Sequence, residues 1–148
     1  MQGFVSNVLG DKGRQVYAIA PSVTVSQAVD EMNEKGVGAL LVVDRDERPL
    51  GIFTERDVLR RVVGEGRDPL HTRVADVMTH DLIVISPSMT VSAAMAVMTQ
   101  SRCRHLPVMD NGRVMGMVSI GDLTRWVSLT QEVEIQHLVD YITGRHPA

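Results

Sequence analysis

The sequence predicts an α+β protein built from two copies of a β-α-β-β-α unit. Three observations predict it: an internal repeat, two apolar stripes with helical spacing, and paired apolar runs separated by turn-forming residues. The chain has 148 residues, so each copy is small. Because a unit of about 60 residues buries little surface by itself, we expect the two copies to share one core.

The repeat is read directly from the sequence. Residues 19–44 and 85–110, at an offset of 66, are identical at 11 of 26 positions. One residue is lost in the next turn, after which Gly51 and Gly116 match at an offset of 65. We place the first domain at 8–66, the second at 74–128 and a C-terminal helix and tail at 129–148, with the linker in 67–77.

Each unit opens with a short strand, 16–19 or 82–85, that ends before a proline. Thr24 and Thr90 then stand where helix N-caps belong, and Gln27 completes a capping box in the first unit. Apolar residues follow at helical spacing. The stripes are Val25, Ala28, Val29 and Met32, and Val91, Ala94, Met95 and Met98.

Two further strands and a second helix complete each unit. The predicted strands are 39–43 and 50–53 in the first unit and 106–109 and 114–118 in the second. The second helices begin near Thr54 and Ser119. Beyond Trp126 we predict a separate helix with Ile135, Leu138 and Ile142 on one face. That stripe predicts either a dimer contact or packing against the rest of the chain.

Composition excludes several classes of function. A net charge of −3, a pI of about 5.9 and 3% aromatic residues argue against a nucleic-acid partner. No apolar run approaches the ~20 residues of a membrane helix, and the N-terminus lacks a signal-peptide pattern. We therefore expect no membrane partner and a cytoplasmic location. Cys103 is the single cysteine, so we predict neither a disulfide nor a metal site.

One motif, G-x-x-[ST]-x-x-D, occurs twice at equivalent positions, as residues 51–57 and 116–122. A hydroxyl residue followed three positions later by an acid is also an ordinary capping box. In the functional interpretation, the helix N-terminus attracts a phosphate and the acid accepts hydrogen bonds from a ribose diol. Both interpretations stay open on the motif alone.

The two units differ just after their first helix. Residues 102–107 read RCRHLP in the second unit, whereas residues 36–41 read GVGALL in the first. Arginines and a histidine before a strand suit charge-assisted hydrogen bonds to a phosphate. Cations also suit a helix C-terminus. We therefore expect two unequal sites if both units bind a ligand.

Residues 8–127 resemble a tandem pair of cystathionine-β-synthase-type (CBS) domains, and residues 8–13 (VLGDKG) and 138–142 (LVDYI) resemble those of a stand-alone bacterial subfamily with plant organellar relatives. The resemblance is carried by the two TVS-x-A helix starts, RHLPV at 104–108, VMT at 77–79 and the two G-x-x-[ST]-x-x-D motifs. It implies a pseudo-twofold module that dimerises, has no catalytic activity and binds adenosine derivatives in two clefts. AMP is favoured, with ADP, ATP, NAD and S-adenosylmethionine as the other candidates.

The resemblance also implies which residues line each cleft. The first cleft takes Thr54, Arg56, Asp57, Thr79, Ile83, Arg104, His105 and Pro107. The second takes Lys12, Tyr17, Gly38, Ala39, Ser119 and Asp122.

Roles follow from the chemistry of these residues. Asp57 and Asp122 would accept from ribose, and Thr54, Ser119, Arg104, His105, Arg56 and Lys12 would face phosphate. Tyr17 and Ile83 would line the adenine slot. We expect the cleft of Asp57 and Arg104 to bind phosphate more tightly, and His105 to make binding pH-sensitive.

The sequence leaves two alternatives to a regulatory sensor open. The chain could be a structural dimerisation module whose repeated Thr, Ser and Asp residues only cap helices. It could also be an enzyme that uses Cys103 or His105, but no paired base and orienting group accompany them in the sequence. The sequence does not identify a regulated protein target, although a sensor implies one.

Overall fold

The computed structural model describes residues 3–144 of the chain. The elements in chain order are α1 (Val5–Lys12), β1 (Ala18–Ile19), α2 (Val25–Lys35), β2 (Ala39–Val43), β3 (Pro49–Thr54), α3 (Glu55–Asp57), a π-helix (Val58–Val63), α4 (Val74–Val77), α5 (Val91–Ser101), β4 (His105–Asp110), β5 (Arg113–Ser119) and α6 (Ile120–Thr143). The α+β class is confirmed, and so is the predicted order within each repeat, except that the first strand of the second repeat is reduced to a single bridge.

The chain forms two compact units. One is Gln15–Val84, and the other combines the chain up to Arg14 with the chain from Ile85 onward. We call them the Asp57 unit and the Asp122 unit, after the acid that each repeat motif contributes.

The Asp57 unit is a three-stranded sheet with helices against it. β1 pairs with β2 in parallel, and β2 pairs with β3 in antiparallel fashion. The predicted stripe of α2 supplies Val25, Ala28 and Met32 to the core, where β2 and β3 contribute Leu40, Val42 and Phe53. The predicted capping box is confirmed: the Thr24 hydroxyl accepts from the N–H of Gln27 at 3.2 Å, and the Thr24 N–H donates to the Gln27 side chain at 3.0 Å.

The Asp122 unit repeats this arrangement on a two-stranded sheet. β4 and β5 are antiparallel, with His105 opposite Ser119. The Thr90 hydroxyl caps α5 by accepting from the N–H of Ala93 at 3.1 Å. Apolar residues of α5, β4, β5 and α6 form the core: Val91, Ala94, Met98, Leu106, Val108, Val118 and Leu123.

A short helix docks in each unit in the same way, α4 in the Asp57 unit and α1 in the Asp122 unit. In the Asp57 unit, the N–H of Val74 donates to Val23 O and that of Ala75 to Pro21 O. In the Asp122 unit, Val5 and Ser6 donate to the carbonyls of Met89 and Pro87. α4 therefore packs with the first repeat and α1 with the second, so the compact units divide the chain differently from the repeats.

Two predicted strands are shorter than expected. The prediction of 16–19 reduces to Ala18–Ile19, and 82–85 reduces to one parallel bridge between Ile85 and Val108. The second strand fails to extend because the N–H of Leu82 bonds to His80 O in a turn, which leaves Ile85 to pair with β4. The predicted linker 67–77 is also wrong in part, since its last four residues form α4, in which Val74 and Val77 are buried.

The predicted C-terminal helix is present, but it continues the second helix of the repeat, because α6 is one continuous helix of 24 residues. No glycine or proline interrupts residues 122–143, and the second helix of the repeat simply continues. Trp126 packs against the core of its own unit. Ile135, Leu138 and Ile142 are 62%, 60% and 74% exposed, so packing against the rest of the chain is not found for this stripe in residues 3–144. The predicted tail at 145–148 lies outside the described residues.

Candidate functional site

Asp57 lies in the first turn after β3 and is only 6% exposed. Its Oδ2 accepts from the backbone N–H of Thr54 at 3.0 Å and from the Thr54 hydroxyl at 3.2 Å. The N–H of Asp57 donates back to Thr54 Oγ1 at 3.3 Å. The other carboxylate oxygen, Oδ1, accepts from the Thr79 hydroxyl at 3.1 Å. Thr54, Asp57 and Thr79 of the predicted first cleft are thus brought together.

Arg61 extends this cluster, although the sequence pattern did not single it out. Its Nε lies 3.8 Å from Asp57 Oδ1, and its Nη1 donates to the carbonyls of Met78 at 2.7 Å and Val77 at 3.3 Å. The spacing could have predicted this contact, because an arginine four residues after an aspartate lies on the same helix face.

Asp122 occupies the equivalent place in the other unit. Its Oδ2 accepts from the N–H of Ser119 at 2.8 Å, and the N–H of Asp122 donates to Ser119 Oγ at 3.0 Å. Here the third partner is a cation, since Lys12 Nζ lies 2.6 Å from Asp122 Oδ2 and also donates to Met117 O. Lys12, Ser119 and Asp122 of the predicted second cleft are therefore brought together.

The environment of Asp122 favours its charged form. Burial by itself raises the pKa of this carboxyl, but hydrogen bonds from Lys12 and from Ser119, together with the charge of Lys12, outweigh it. The pKa of Asp122 consequently lies below its ordinary value of 3.8. Asp122 is therefore a carboxylate at neutral pH.

The two units differ, as predicted, in the residue that follows their first helix and lies beside the start of the second. The N–H of Glu55 donates to Gly38 O at 3.0 Å, and that of Ile120 donates to Arg104 O at 2.8 Å. Gly38 and Arg104 thus hold the same backbone position, beside the first residue of the helix that carries the acid. Arg104 is exposed there, so one unit presents a cation where the other has no side chain.

The glycine that opens each motif is closely packed against another segment of its unit. A Cβ at Gly51 would stand 2.4 Å from the carbonyl oxygen of Thr79, and one at Gly116 would stand 2.7 Å from the Leu9 side chain. In each unit the glycine lets a segment from the short docked helix or just after it approach the strand that leads to the acid.

The other predicted residues occupy defined positions in their own units. Tyr17 is half-buried with Lys35 Nζ 5.5 Å from its ring centre, Ala39 is buried at the start of β2, and Ile83 is exposed. Arg56 is half-buried in α3. His105 is half-buried and Pro107 buried in β4, within the Asp122 unit. The assembly of each cleft from residues of both units stays a prediction.

A groove of about 430 Å³ runs beside the Lys12–Asp122 pair within the Asp122 unit. It is lined by α1 and α6 through Val8, Asp11, Lys12, Asp122, Arg125, Trp126 and Leu129. Its surface combines apolar side chains with both signs of charge.

The capping interpretation of the repeated motif is confirmed in both units, because Thr54 with Asp57 and Ser119 with Asp122 form complete capping boxes. No helix within residues 3–144 is both long and apolar enough to cross a membrane.

Fold and site define a duplicated α+β protein whose two units each carry a hydroxyl–acid pair at the start of a helix. The family model of the CBS domain matches residues 10–64 and 74–129. The chain belongs to the CBS domain family, as a tandem pair.

Three relatives illustrate the similarity. The mitochondrial CBS domain-containing protein CBSX3 of Arabidopsis thaliana is 40% identical, over 95% of this chain and 72% of its own length. A solved protein with CBS domains from Burkholderia ambifaria is 44% identical, with a TM-score of 0.80 over 84% of this chain and 93% of that one. The hexameric CBS-CP12 protein of bloom-forming cyanobacteria is 30% identical, with a TM-score of 0.73 over 84% of this chain and 69% of that one.

Proposed function

We propose that this chain is a regulatory module that binds an adenine nucleotide and has no catalytic activity of its own. The observation that carries the proposal is the duplicated hydroxyl–acid pair at the same structural position in both units. Helix capping needs an acceptor side chain at each helix start, but it does not need the same pair at both. The Burkholderia relative bears the name of a candidate signal-transduction protein, which supports a regulatory role.

AMP is the favoured ligand, with ADP, ATP and NAD as the other candidates. A ribose diol suits a charged acid such as Asp122, and a phosphate suits Lys12 and the exposed Arg104. Ligand binding would change the activity of a protein target. The cytoplasmic location stays a prediction, and the name of the plant relative places that relative in mitochondria.

Thermal unfolding in the presence of AMP, ADP, ATP, NAD and adenosine tests the proposal. A ligand at 100 times its Kd stabilises the folded state by about 2.7 kcal/mol, so the melting temperature rises by several degrees. Asp57→Ala and Asp122→Ala should each reduce this rise, whereas Asp30→Ala, which changes an exposed acid of α2, should not. If none of these ligands raises the melting temperature of the wild-type chain, the proposal is refuted in favour of a structural dimerisation module.

Calorimetry on the same two variants tests the inequality of the sites. We expect Asp57→Ala to remove the tighter binding event, because that cleft is predicted to include Arg104. Equal losses from Asp57→Ala and Asp122→Ala would contradict this expectation.

We also propose that the chain forms a homodimer through α6. Ile135, Leu138 and Ile142 form an exposed apolar stripe on one face of that helix. An exposed apolar patch of this kind marks an interaction surface in soluble proteins. The hexameric cyanobacterial relative shows that a protein with this fold assembles into oligomers.

A further inference from the structure

The segment Val77–Thr79 is fastened to Asp57 by two different side chains. Thr79 donates its hydroxyl to Asp57 Oδ1 at 3.1 Å. Arg61, which lies 3.8 Å from the same oxygen, donates to the carbonyls of Met78 and Val77. The backbone of Thr79 also pairs with Ile52 of β3 through hydrogen bonds of 2.9 and 3.0 Å.

The carboxylate of Asp57 has little capacity left for a ligand. A carboxylate offers about four acceptor positions, two on each oxygen. Thr54 fills both positions on Oδ2, and Thr79 fills one on Oδ1. A ribose diol that donates two hydrogen bonds therefore has to displace one of these donors. Thr79 is the donor that can leave, because releasing Thr54 would undo the cap of α3.

We propose that Arg61 is a positioning residue that holds the segment Val77–Thr79 beside Asp57. We also propose that ligand binding at Asp57 alters this segment and is transmitted through it towards the Asp122 unit. When a ligand takes the position of the Thr79 hydroxyl, the hydrogen bonds from Arg61 keep Val77 and Met78 in place while Thr79 adjusts. The chain continues from Thr79 through Val84 into the Asp122 unit, so a change at Thr79 lies on the covalent path between the units. This inference rests on the proposed function.

The arrangement is specific to one unit. Arg61 follows Asp57 by four residues, and Trp126 occupies the same position after Asp122. Arg61 also lies in the π-helix Val58–Val63, whereas the corresponding part of α6 is regular α-helix. Single-turn π-helical segments are frequent at functional sites. The two units should therefore differ in how they respond to a ligand.

Amide hydrogen exchange without any ligand tests the role of Arg61 directly. The N–H of Thr79 bonds to Ile52 O, so its exchange rate reports local opening of this segment. Arg61→Gln should accelerate exchange at Thr79 about tenfold, because hydrogen bonds from a charged donor are lost. Arg60→Gln, which removes the same charge from a neighbouring exposed arginine, should leave it unchanged.

The conservative variant keeps the test decisive if Arg61→Gln does not fold. Arg61→Lys retains the charge but cannot reach two carbonyls from one planar group, so it should give an intermediate exchange rate. Unchanged exchange at Thr79 in folded Arg61→Gln, or in Arg61→Lys where the glutamine variant fails to fold, would overturn the role of Arg61.

A second arm uses AMP as the probe. In the wild-type chain, saturating AMP should change exchange at Thr79 at least threefold, and Asp57→Asn should abolish that response. AMP that binds without altering exchange at Thr79 would overturn the proposed path. Failure of every adenine nucleotide to bind would instead refute the proposed function, while the ligand-free comparison of Arg61 and Arg60 variants would still decide the role of Arg61.

Discussion

Lys12 and Asp122 form an ion pair of 2.6 Å that joins the end of α1 to the first turn of α6. At the other unit, the equivalent acid accepts a hydrogen bond from the neutral hydroxyl of Thr79, and the cation of Arg61 stands farther away, 3.8 Å from Asp57 Oδ1. The side chain of Asp122 is 25% exposed, whereas Asp57 is almost fully buried. The two repeats have thus kept the acid and changed its partners, with the cation in hydrogen-bonding contact with Asp122 and at a longer distance from Asp57.

The ion pair predicts a pH-dependent contribution to stability. The pKa of Asp122 is lowered in the folded state, so its contribution is present above the ordinary value of 3.8 and is lost as pH falls below it. Asp122→Asn keeps an acceptor for the helix cap but loses the charge. We expect it to lower the free energy of unfolding by about 0.5–1 kcal/mol at pH 7 and by nearly nothing at pH 3.

Urea denaturation of wild type and Asp122→Asn at several pH values measures this difference. Lys12→Met should show the same pH profile, because it removes the other partner. A difference that grows as pH falls would contradict the ion pair.

The glycines of the motif predict a graded series of stabilities. Gly51→Ala should destabilise by about 2–3 kcal/mol, because the new methyl group meets backbone at Thr79. Gly116→Ala should cost about 1 kcal/mol, since the obstacle is the flexible Leu9 side chain. Gly10→Ala in α1 meets nothing within 4 Å and should stabilise by about 0.5–1 kcal/mol. Denaturant midpoints of the three variants check the order, which an equal effect at Gly51 and Gly10 would refute.

Nucleotide binding should depend on pH through His105. A protonated imidazole beside a phosphate gains a charge-assisted hydrogen bond, so AMP affinity should rise about fivefold from pH 8 to pH 6. His105→Gln should flatten this profile. His71→Gln is the matched control, because His71 is an exposed histidine that pairs with Asp68 at 2.6 Å. Calorimetry with AMP at pH 6, 7 and 8 gives the profile, and an affinity independent of pH would remove the hypothesis.

The apolar stripe of α6 should control oligomeric state. Leu138→Glu places a charge in the middle of the stripe and should convert a dimer to a monomer at micromolar concentration. Val133→Glu makes the same kind of change at an exposed valine on the opposite side of the helix, and it should leave the assembly intact. Analytical ultracentrifugation distinguishes the outcomes. Dimers that survive Leu138→Glu but not Val133→Glu would place the contact on the other face.

Sequence patterns predicted the features that local chemistry determines. Thr24 and Thr90 cap the two helices, and Val25 and Val91 begin their buried faces, as the spacing predicted. The repeat itself located Asp57 and Asp122 at equivalent positions. Such features depend on neighbours within four residues, so they are visible in the order of residues alone.

Features that depend on distant partners were not visible. The family resemblance, and not the spacing of residues, placed Lys12 in one cleft with Asp122, 110 residues later. Nothing in the sequence showed that Arg61 would bond to Val77 and Met78. The length of α6 was missed for a different reason: the end of a repeat suggested a boundary, but no helix-breaking residue stands there.

The docking of α1 and α4 determines where the chain can be divided into fragments that keep their hydrophobic cores. Fragments that follow the repeat boundaries, such as one beginning at residue 74, would strip the Asp122 unit of Val5, Val8 and Leu9, three fully buried side chains. They would also take Val74 and Val77 away from the first repeat. Half-molecules made for spectroscopy or binding should instead comprise residues 15–84, or residues 3–14 fused through a flexible linker to 85–144.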